Sequence, residues 1–449
     1  MKDRVSANPG RVKLTPEDGS PAFYATMERA DNPVEEGTPL NKSTLLSDAA
    51  CDLLEIPQTS TVNEAFLKLA LGVGKYGYTV HFQWPDGTPM VGYRVSGLTA
   101  IDGSALTTDN TGTVFGVSEN TSVGVSVSTS FQDLNTASKT IRSTGILTED
   151  TVKITSKSSF TLTADSSRSY QFSQWAPLVD ICAVGGGGSG AYAHAYRGIQ
   201  YATSGAACGG AGGEVNVLEN YNPAGKTLTV SIGAGGEGVK HTGPDSFTRG
   251  NNGGTTTVTS ESTTILSAAG GNGGSADAEE EYVTSTNFTQ TVSAGGASGG
   301  SGSGGCRAYV QKLSSSPRTC ASGVGASGSN GEDGEAGIAE DDEGGTHGSA
   351  SGGKGQGTTT AFNGTTYSAA GGGAAYAFCP DNSSSTGYIE HESESAGGSG
   401  AGAGHVSADG GNATQKGAGG GGRVDGQNNV GSGISGAGAD GRVIIKKAS

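Results

Sequence analysis

Leu178-Val179-Asp180-Ile181-Cys182-Ala183-Val184 runs without a break into Gly185-Gly186-Gly187-Gly188. The first seven residues read as a buried strand, with apolar and β-branched side chains in a short run. The next four have no side chains at all. Glycine supplies 81 of the 449 residues, and 67 of those lie behind residue 184, against a usual share of about 7%. Glycine loses more backbone entropy on folding than any other residue. A segment this rich in it either stays disordered or uses glycine to bring backbones close together.

The surroundings favour order. Glu214-Val215-Asn216-Val217-Leu218, Leu228-Thr229-Val230-Ser231-Ile232 and the terminal Arg442-Val443-Ile444-Ile445-Lys446 read as strands, and clusters such as 209–213, 233–236, 295–300 and 417–422 lie between them. There is also an internal repeat. Gly254-Thr255-Thr256-Thr257 leads through Thr263-Thr264 to Ser267-Ala268-Ala269-Gly270-Gly271. Gly357-Thr358-Thr359-Thr360 leads through Thr365-Thr366 to Ser368-Ala369-Ala370-Gly371-Gly372, and Ser293-Ala294-Gly295-Gly296 is a partial third copy. A recurring block of this kind fits a layered architecture. Glycine runs adopt the extended polyproline II conformation, whose unpaired amides and carbonyls bond between neighbouring chains when no side chain intervenes. The collagen Gly-X-Y period is absent. A flexible linker is the competing reading, but linkers lack strands and repeats.

Apolar residues are 33% of the chain and aromatics 6%, too few for an enzyme with one thick core. No stretch approaches about 18 consecutive apolar residues, so membrane insertion is not expected. The formal charge of −16 repels phosphate backbones, so nucleic acid is not an expected partner. Six cysteines without CxxC or Cys/His spacing form neither a disulfide framework nor a zinc site. Cys306 and Cys320 bracket one segment and are a candidate pair, with free small hydrophobes as the alternative. Asp277-Ala278-Glu279-Glu280-Glu281 and Glu340-Asp341-Asp342-Glu343 lack EF-hand spacing and read as solvated surface, with calcium as the alternative. The six histidines show no HExxH, and no glycine run is followed by Lys-Ser or Lys-Thr. No catalytic residue, metal or cofactor is therefore expected, and the chain does not read as an enzyme. Met1-Lys2-Asp3-Arg4 leads into polar sequence, which predicts no secretory signal and synthesis in a cytoplasm.

Residues 1–76 read as short pieces. Pro9-Gly10 turns into a strand at Arg11-Val12-Lys13-Leu14, and Pro33–Lys42 leads into a helix carrying Leu45, Leu46 and Ala49. Thr61-Val62-Asn63-Glu64 is a capping box, after which Val62, Ala65, Phe66, Leu69 and Ala70 share one helix face. Such a segment is either a small capping subdomain or a docking element. Residues 77–172 read as a β-sandwich: Tyr78–Trp84 turns at Pro85-Asp86-Gly87-Thr88-Pro89 into a returning strand with Val91, Tyr93 and Val95. Val123, Val125 and Val127 alternate further on, as do Val152 and Ile154, with Phe160 and Leu162 following more loosely.

Two sets of motifs carry a family resemblance. Asn8-Pro9-Gly10-Arg11-Val12, Met27-Glu28-Arg29-Ala30-Asp31 and Glu36-Gly37-Thr38-Pro39-Leu40-Asn41-Lys42 resemble the N-terminus of tail-fibre proteins from phages and prophages of gut Firmicutes. The "AVGGGG", "GGAGGEV", "TLTVSIGAGG" and "GAGADGRVIIKK" motifs are similar to the glycine-rich domain of tail-fibre C-termini, akin to polyglycine-helix adhesins. The turns of 77–172 are similar to the immunoglobulin-like or prealbumin-like spacers of surface proteins. The resemblance implies a mainly β chain in three parts. Residues 1–76 are a short helical segment attaching to phage tail or baseplate proteins, and 77–172 an immunoglobulin-like β-sandwich spacer. Residues 173–449 are a glycine-rich receptor-binding domain of strands and packed polyglycine II helices. It further implies a virion location at the tail-fibre tip, a bacterial surface receptor (glycan or protein) and a homotrimer, although no heptads mark a coiled coil.

Recognition is expected at the aromatics interrupting the glycine frame: Tyr192, Tyr196, Tyr201, Tyr282, Phe288, Tyr309, Tyr376, Phe378 and Tyr388. Tyrosine among Ser, Gly and Asn on a rigid scaffold is the composition of binding loops. Local packing is the alternative for each ring. A polysaccharide depolymerase and a purely structural fibre, ice-binding-like or otherwise, are the competing functions.

Overall fold

The computed structural model describes residues 11–14, 23–26, 46–72, 74–195, 201–241, 247–282, 288–312, 346–352, 359–380, 388–426 and 433–449. The expected motifs at 27–31 and 36–42, the acidic run 340–343, Leu45, Tyr196 and Cys320 lie outside them. The chain is mainly β and divides into two compact units. One comprises Met1–Phe82, Pro89–Ser126 and Lys139–Val152, the other Gln83–Thr88, Val127–Ser138 and Lys153–Ser449. Among the described residues, no helix is long and apolar enough to cross a membrane.

The first unit holds two short helices. Ser47 caps Asp48–Leu53, and Val62–Leu71 begins at the capping box, where the Thr61 side chain accepts from the Glu64 amide. Leu46 is buried but precedes the first helix rather than lying in it. The second helix buries Ala65, Lys68 and Leu71 and leaves Phe66 and Leu69 more than half exposed, so the face read from the sequence is not the buried one. The reason is Lys68. Its stem packs inward, its Nζ donates to the Lys75 carbonyl at 2.8 Å and lies 4.6 Å from the Tyr76 ring centroid.

Tyr78, Val80 and Phe82 are buried along the strand Tyr76–Gln83, which is central between Thr113–Ser118 and Leu147–Lys153. The returning strand is shorter than expected, Arg94–Val95, and pairs with Leu106–Thr107 instead.

The second unit opens with a true sandwich. One sheet runs Thr161–Ala164, Arg442–Lys447, Val179–Val184, Val215–Tyr221, and the other Arg168–Gln171, Thr227–Ser231, Thr256–Ser260, Thr263–Ala268. Tyr170, Phe172, Val179, Ile181, Leu228, Val230, Val258, Val443 and Ile445 form the core between them. Strands 161–164 and 168–171, which lie within the 77–172 expected as the spacer, are hydrogen-bonded into these sheets through 442–447 and 227–231. The sheets that carry 442–447 and 227–231 thus take in two strands that lie before position 173. The pairing partner, not the local composition, assigns such strands to a domain.

The glycine runs form a lattice of extended segments. Gly185, Gly188 and Ala191 donate their amides to the carbonyls of Glu214, Ala211 and Cys208. Gly186 and Ser189 donate to Gly254 and Asn251, and Gly187 and Gly190 to Ala439 and Gly436, all at 2.9–3.0 Å. The donors rotate through three neighbours with a period of three residues, the period of a polyproline II helix. Each acceptor series descends by three, so these neighbours run antiparallel. Three further segments donate back: Gly271 and Gly274 to Gly186 and Ser189, Gly236 to Gly187, and Gly420 to Gly188. The segment 185–190 is thus the centre of a hexagonal bundle. An ideal Cβ on Gly187 would lie 2.0 Å from the Ala418 carbonyl oxygen, and one on Gly188 2.1 Å from that of Asn272. Only glycine allows this spacing.

Both copies of the repeat fold alike. Thr256–Ser260 with Thr263–Ala268, and Thr359–Phe362 with Thr365–Tyr367, are antiparallel hairpins. Their turns place Glu261-Ser262 and Asn363-Gly364 at positive φ, as two-residue hairpin loops require. Each then enters the lattice through its Ala-Ala-Gly-Gly run.

Candidate functional site

Lattice segments that leave the sandwich end in a second group of sheets. Segment 185–190 continues into Tyr192–His194, 270–274 into Ala276–Tyr282, and 417–422 into Arg423–Asp425; 208–213 arrives there from Tyr201–Ala207. The segments positioned by the bundle therefore carry the strands that hold the candidate aromatics.

The far sheet runs Ala276–Tyr282, Tyr201–Ala207, Ala374–Pro380, Tyr388–Glu394. Its register sets Tyr201 opposite Tyr282, Phe378 opposite Thr203, and Tyr388 opposite Pro380. Pro380 lies two residues beyond Phe378, and Tyr201 two before Thr203. Tyr282, Tyr201 and Tyr388 thus stand at one level, at the strand ends away from the lattice. Beside this sheet, Phe288–Ala294, Cys306–Lys312 and Thr346–Gly352 form another, with Phe288 opposite Lys312 and Tyr309 between Thr291 and Ser349. These positions are in strands, not in the loops expected from sequence.

Two candidates are core residues. Tyr192 and Tyr376 have no exposed surface and so present nothing to a receptor. Tyr376 packs with Ala191, Ala193, Ala207, Ala374 and Val424. Small alanine neighbours leave a volume that a ring fills, and that local packing overrides the loop reading.

Both edge strands are acidic. Glu279, Glu280 and Glu281 stand opposite Ser204, Thr203 and Ala202, and on the other edge Glu390, Glu392 and Glu394 stand opposite Phe378, Tyr376 and Ala374. Glu394 is held by His405 Nδ1 at 3.2 Å and accepts from the Val406 amide at 2.7 Å. Charges along an edge prevent strand addition by another chain. Among the described residues, no group of three His, Cys, Asp or Glu side chains is arranged to hold a metal ion.

A polar cluster on the sheet Phe247–Thr248, Tyr192–His194, Arg423–Asp425, His405–Val406 escaped the sequence reading. The Tyr192 hydroxyl donates to Asp425 Oδ2 at 3.1 Å, and Arg423 reaches Asp409 at 2.8 Å and Asp425 at 3.8 Å. His241 stacks between Tyr192 (centroids 6.0 Å apart) and His194 (5.5 Å). Burial, followed by the Asp425 charge, pushes the Tyr192 hydroxyl pKa up. Burial lowers that of His194, against the opposing pull of Asp425. The sequence carried one signal: Gly422-Arg423-Val424 repeats the terminal Gly441-Arg442-Val443, a charged residue at the point where glycine gives way to a strand.

A family model described as a glycine-rich domain matches residues 162–448. Its start coincides with the first strand of the sandwich. No curated protein matches the chain. Among solved structures, BcpA, the major pilin subunit of Bacillus cereus, matches at 8% identity, covering 70% of this chain and 94% of that one, with a TM-score of 0.14. A superposition that weak carries nothing about fold or function.

Proposed function

The chain belongs to the glycine-rich domain family, and from that premise we propose that it is a phage tail-fibre adhesin. Its glycine-rich domain binds a bacterial surface glycan or protein at the tip of the fibre. The observation that carries this reading is the level row of Tyr282, Tyr201 and Tyr388 at the ends of strands rooted in the lattice. Aromatic rings stack on sugars, neighbouring carboxylates accept hydroxyl hydrogens, and a rigid frame keeps the ordering cost of binding small. Residues 1–76 attach to tail or baseplate proteins, and exposed Leu53, Phe66 and Leu69 support a docking role. The segment from 77 serves as spacer, and three copies assemble in the virion.

Full-length protein incubated with a panel of gut bacteria tests this. Saturable adsorption to at least one strain is expected, lost in the Tyr201→Ala/Tyr282→Ala/Tyr388→Ala variant. Adsorption to no strain, or equal adsorption by the variant, sinks the tip assignment. Release of reducing ends from host glycan selects a depolymerase instead.

A further inference from the structure

Cys208 and Cys306 are both buried without exposed surface, in a cluster of small residues that includes Ala206, Val292, Ala294 and Ala375. They belong to different layers. Cys208 follows the strand Tyr201–Ala207 at its junction with the lattice, and Cys306 opens the strand Cys306–Lys312 of the neighbouring sheet. Their sulfurs reach across that boundary reciprocally. Cys208 Sγ donates to the carbonyl of Ala294, the residue paired with Cys306, at 3.3 Å. Cys306 Sγ donates to the carbonyl of Ala207, the residue before Cys208, at 3.4 Å. Two thiols that each reach the other's immediate backbone neighbour lie side by side. Gly373 keeps the space open: a Cβ there would fall 2.0 Å from Cys306 Sγ.

We propose that Cys208 and Cys306 form a disulfide when the chain folds in an oxidising medium, stapling the outer sheet to the lattice. The oxidant is a small-molecule disulfide such as oxidised glutathione. The thiolate of one cysteine attacks it, forming a mixed disulfide and releasing one glutathione thiolate. The second cysteine, deprotonated, then attacks the protein sulfur of that mixed disulfide and releases the other glutathione. Two S–H bonds are lost and one S–S bond forms; the two electrons and two protons leave on the two reduced glutathione molecules. The Cys306 thiol alongside, together with burial, holds the Cys208 thiol well above its ordinary pKa. Cys208 is therefore a poor nucleophile once folded, and exchange belongs to folding, before strand 306–312 packs against Cys208. Once formed, the bond closes a loop of about a hundred residues, a length at which a cross-link strongly restricts the unfolded chain.

The test refolds the full-length protein in a glutathione redox buffer, unfolds it in denaturant with an alkylating agent, and maps the peptides by mass spectrometry. Two of the six cysteines are expected to escape alkylation, in one cross-linked peptide pair carrying Cys208 and Cys306 and lighter by two hydrogens. Cys51 and Cys182, also buried, are expected to be alkylated. The melting temperature should fall when reductant is added, and that fall should vanish in Cys208→Ala and in Cys306→Ala. Alkylation of both cysteines, or a bond from Cys306 to Cys320 in place of Cys208, overturns the proposal. The mapping uses the unaltered chain, so its outcome does not depend on whether either variant folds.

Discussion

Tyr192 and Asp425 meet through a 3.1 Å hydrogen bond although 233 residues of chain separate them. The bond ties the first far strand, Tyr192–His194, to its parallel partner Arg423–Asp425. Asp425 is fully buried, and the Arg423 guanidinium lies 5.9 Å from the Tyr192 ring centroid. The phenol is thus one wall of a buried charge cluster as well as a packing element.

Tyr192→Phe keeps the ring and removes the donor to a buried carboxylate. A bond to a charged group contributes about 1.5–3 kcal/mol. The variant is expected to lose stability on that scale in denaturant unfolding while keeping the fold by circular dichroism. A change under about 0.5 kcal/mol counts against the structural weight given to this bond.

Gly188→Ala sets a methyl group 2.1 Å from the Asn272 carbonyl oxygen. Backbone on both sides leaves nothing to rotate away, so the cost is expected to be at least about 3 kcal/mol. Gly295→Ala, in the same glycine-rich part, meets nothing within 4 Å and should stay within about 0.5 kcal/mol of the parent. Comparable melting curves for the two variants are incompatible with a close-packed lattice.

Lowering the pH should weaken the far end. His194 has its pKa depressed below the ordinary 6.5, chiefly by burial, with His241 acting in the same direction and Asp425 and Glu280 opposing. Between the depressed value and 6.5 the unfolded chain binds the proton and the folded one does not. Stability is therefore full above 6.5 and declines as the pH falls below it. Amide exchange at Tyr192–His194 is expected to accelerate from about pH 7.5 to about pH 5.5, after correction for intrinsic rates, and His194→Gln should remove the effect. A flat corrected profile in the parent refutes it.

Phe66 and Leu69, 65% and 61% exposed, are expected to be nearly silent for stability. Phe66→Ser/Leu69→Ser should melt within a degree or two of the parent, since exposed substitutions usually stay within about 0.5 kcal/mol. Incorporation into virions should fall, measured by immunoblot of purified particles. Unchanged incorporation removes the docking role from this helix.

Much of the fold was legible in local chemistry. The capping box at Thr61-Glu64, the alternation through Tyr78, Val80 and Phe82, and the strand–glycine junction at Val184-Gly185 all stand where the sequence places them. Errors arose where a residue's environment came from elsewhere in the chain. Lys68 is buried because Lys75 and Tyr76 receive it, which turns the helix away from Phe66. Strand Thr161–Ala164 has its sheet partner in Arg442–Lys447, far along the chain.

The candidate site shows the same division. Sequence singled out the aromatics because a glycine frame gives a ring few places to hide. It could not separate buried Tyr192 and Tyr376 from the strand-end positions Tyr201, Tyr282 and Tyr388, because register is set by pairing. Local composition was enough for the lattice: without side chains, clustered glycines permit backbone-to-backbone contact that no other residue allows. Which segments touch, which tyrosines share a level and which cysteines meet came from the folded arrangement alone. Each of those contacts joins residues tens to hundreds of positions apart, and glycine carries no side-chain pattern to specify its neighbour.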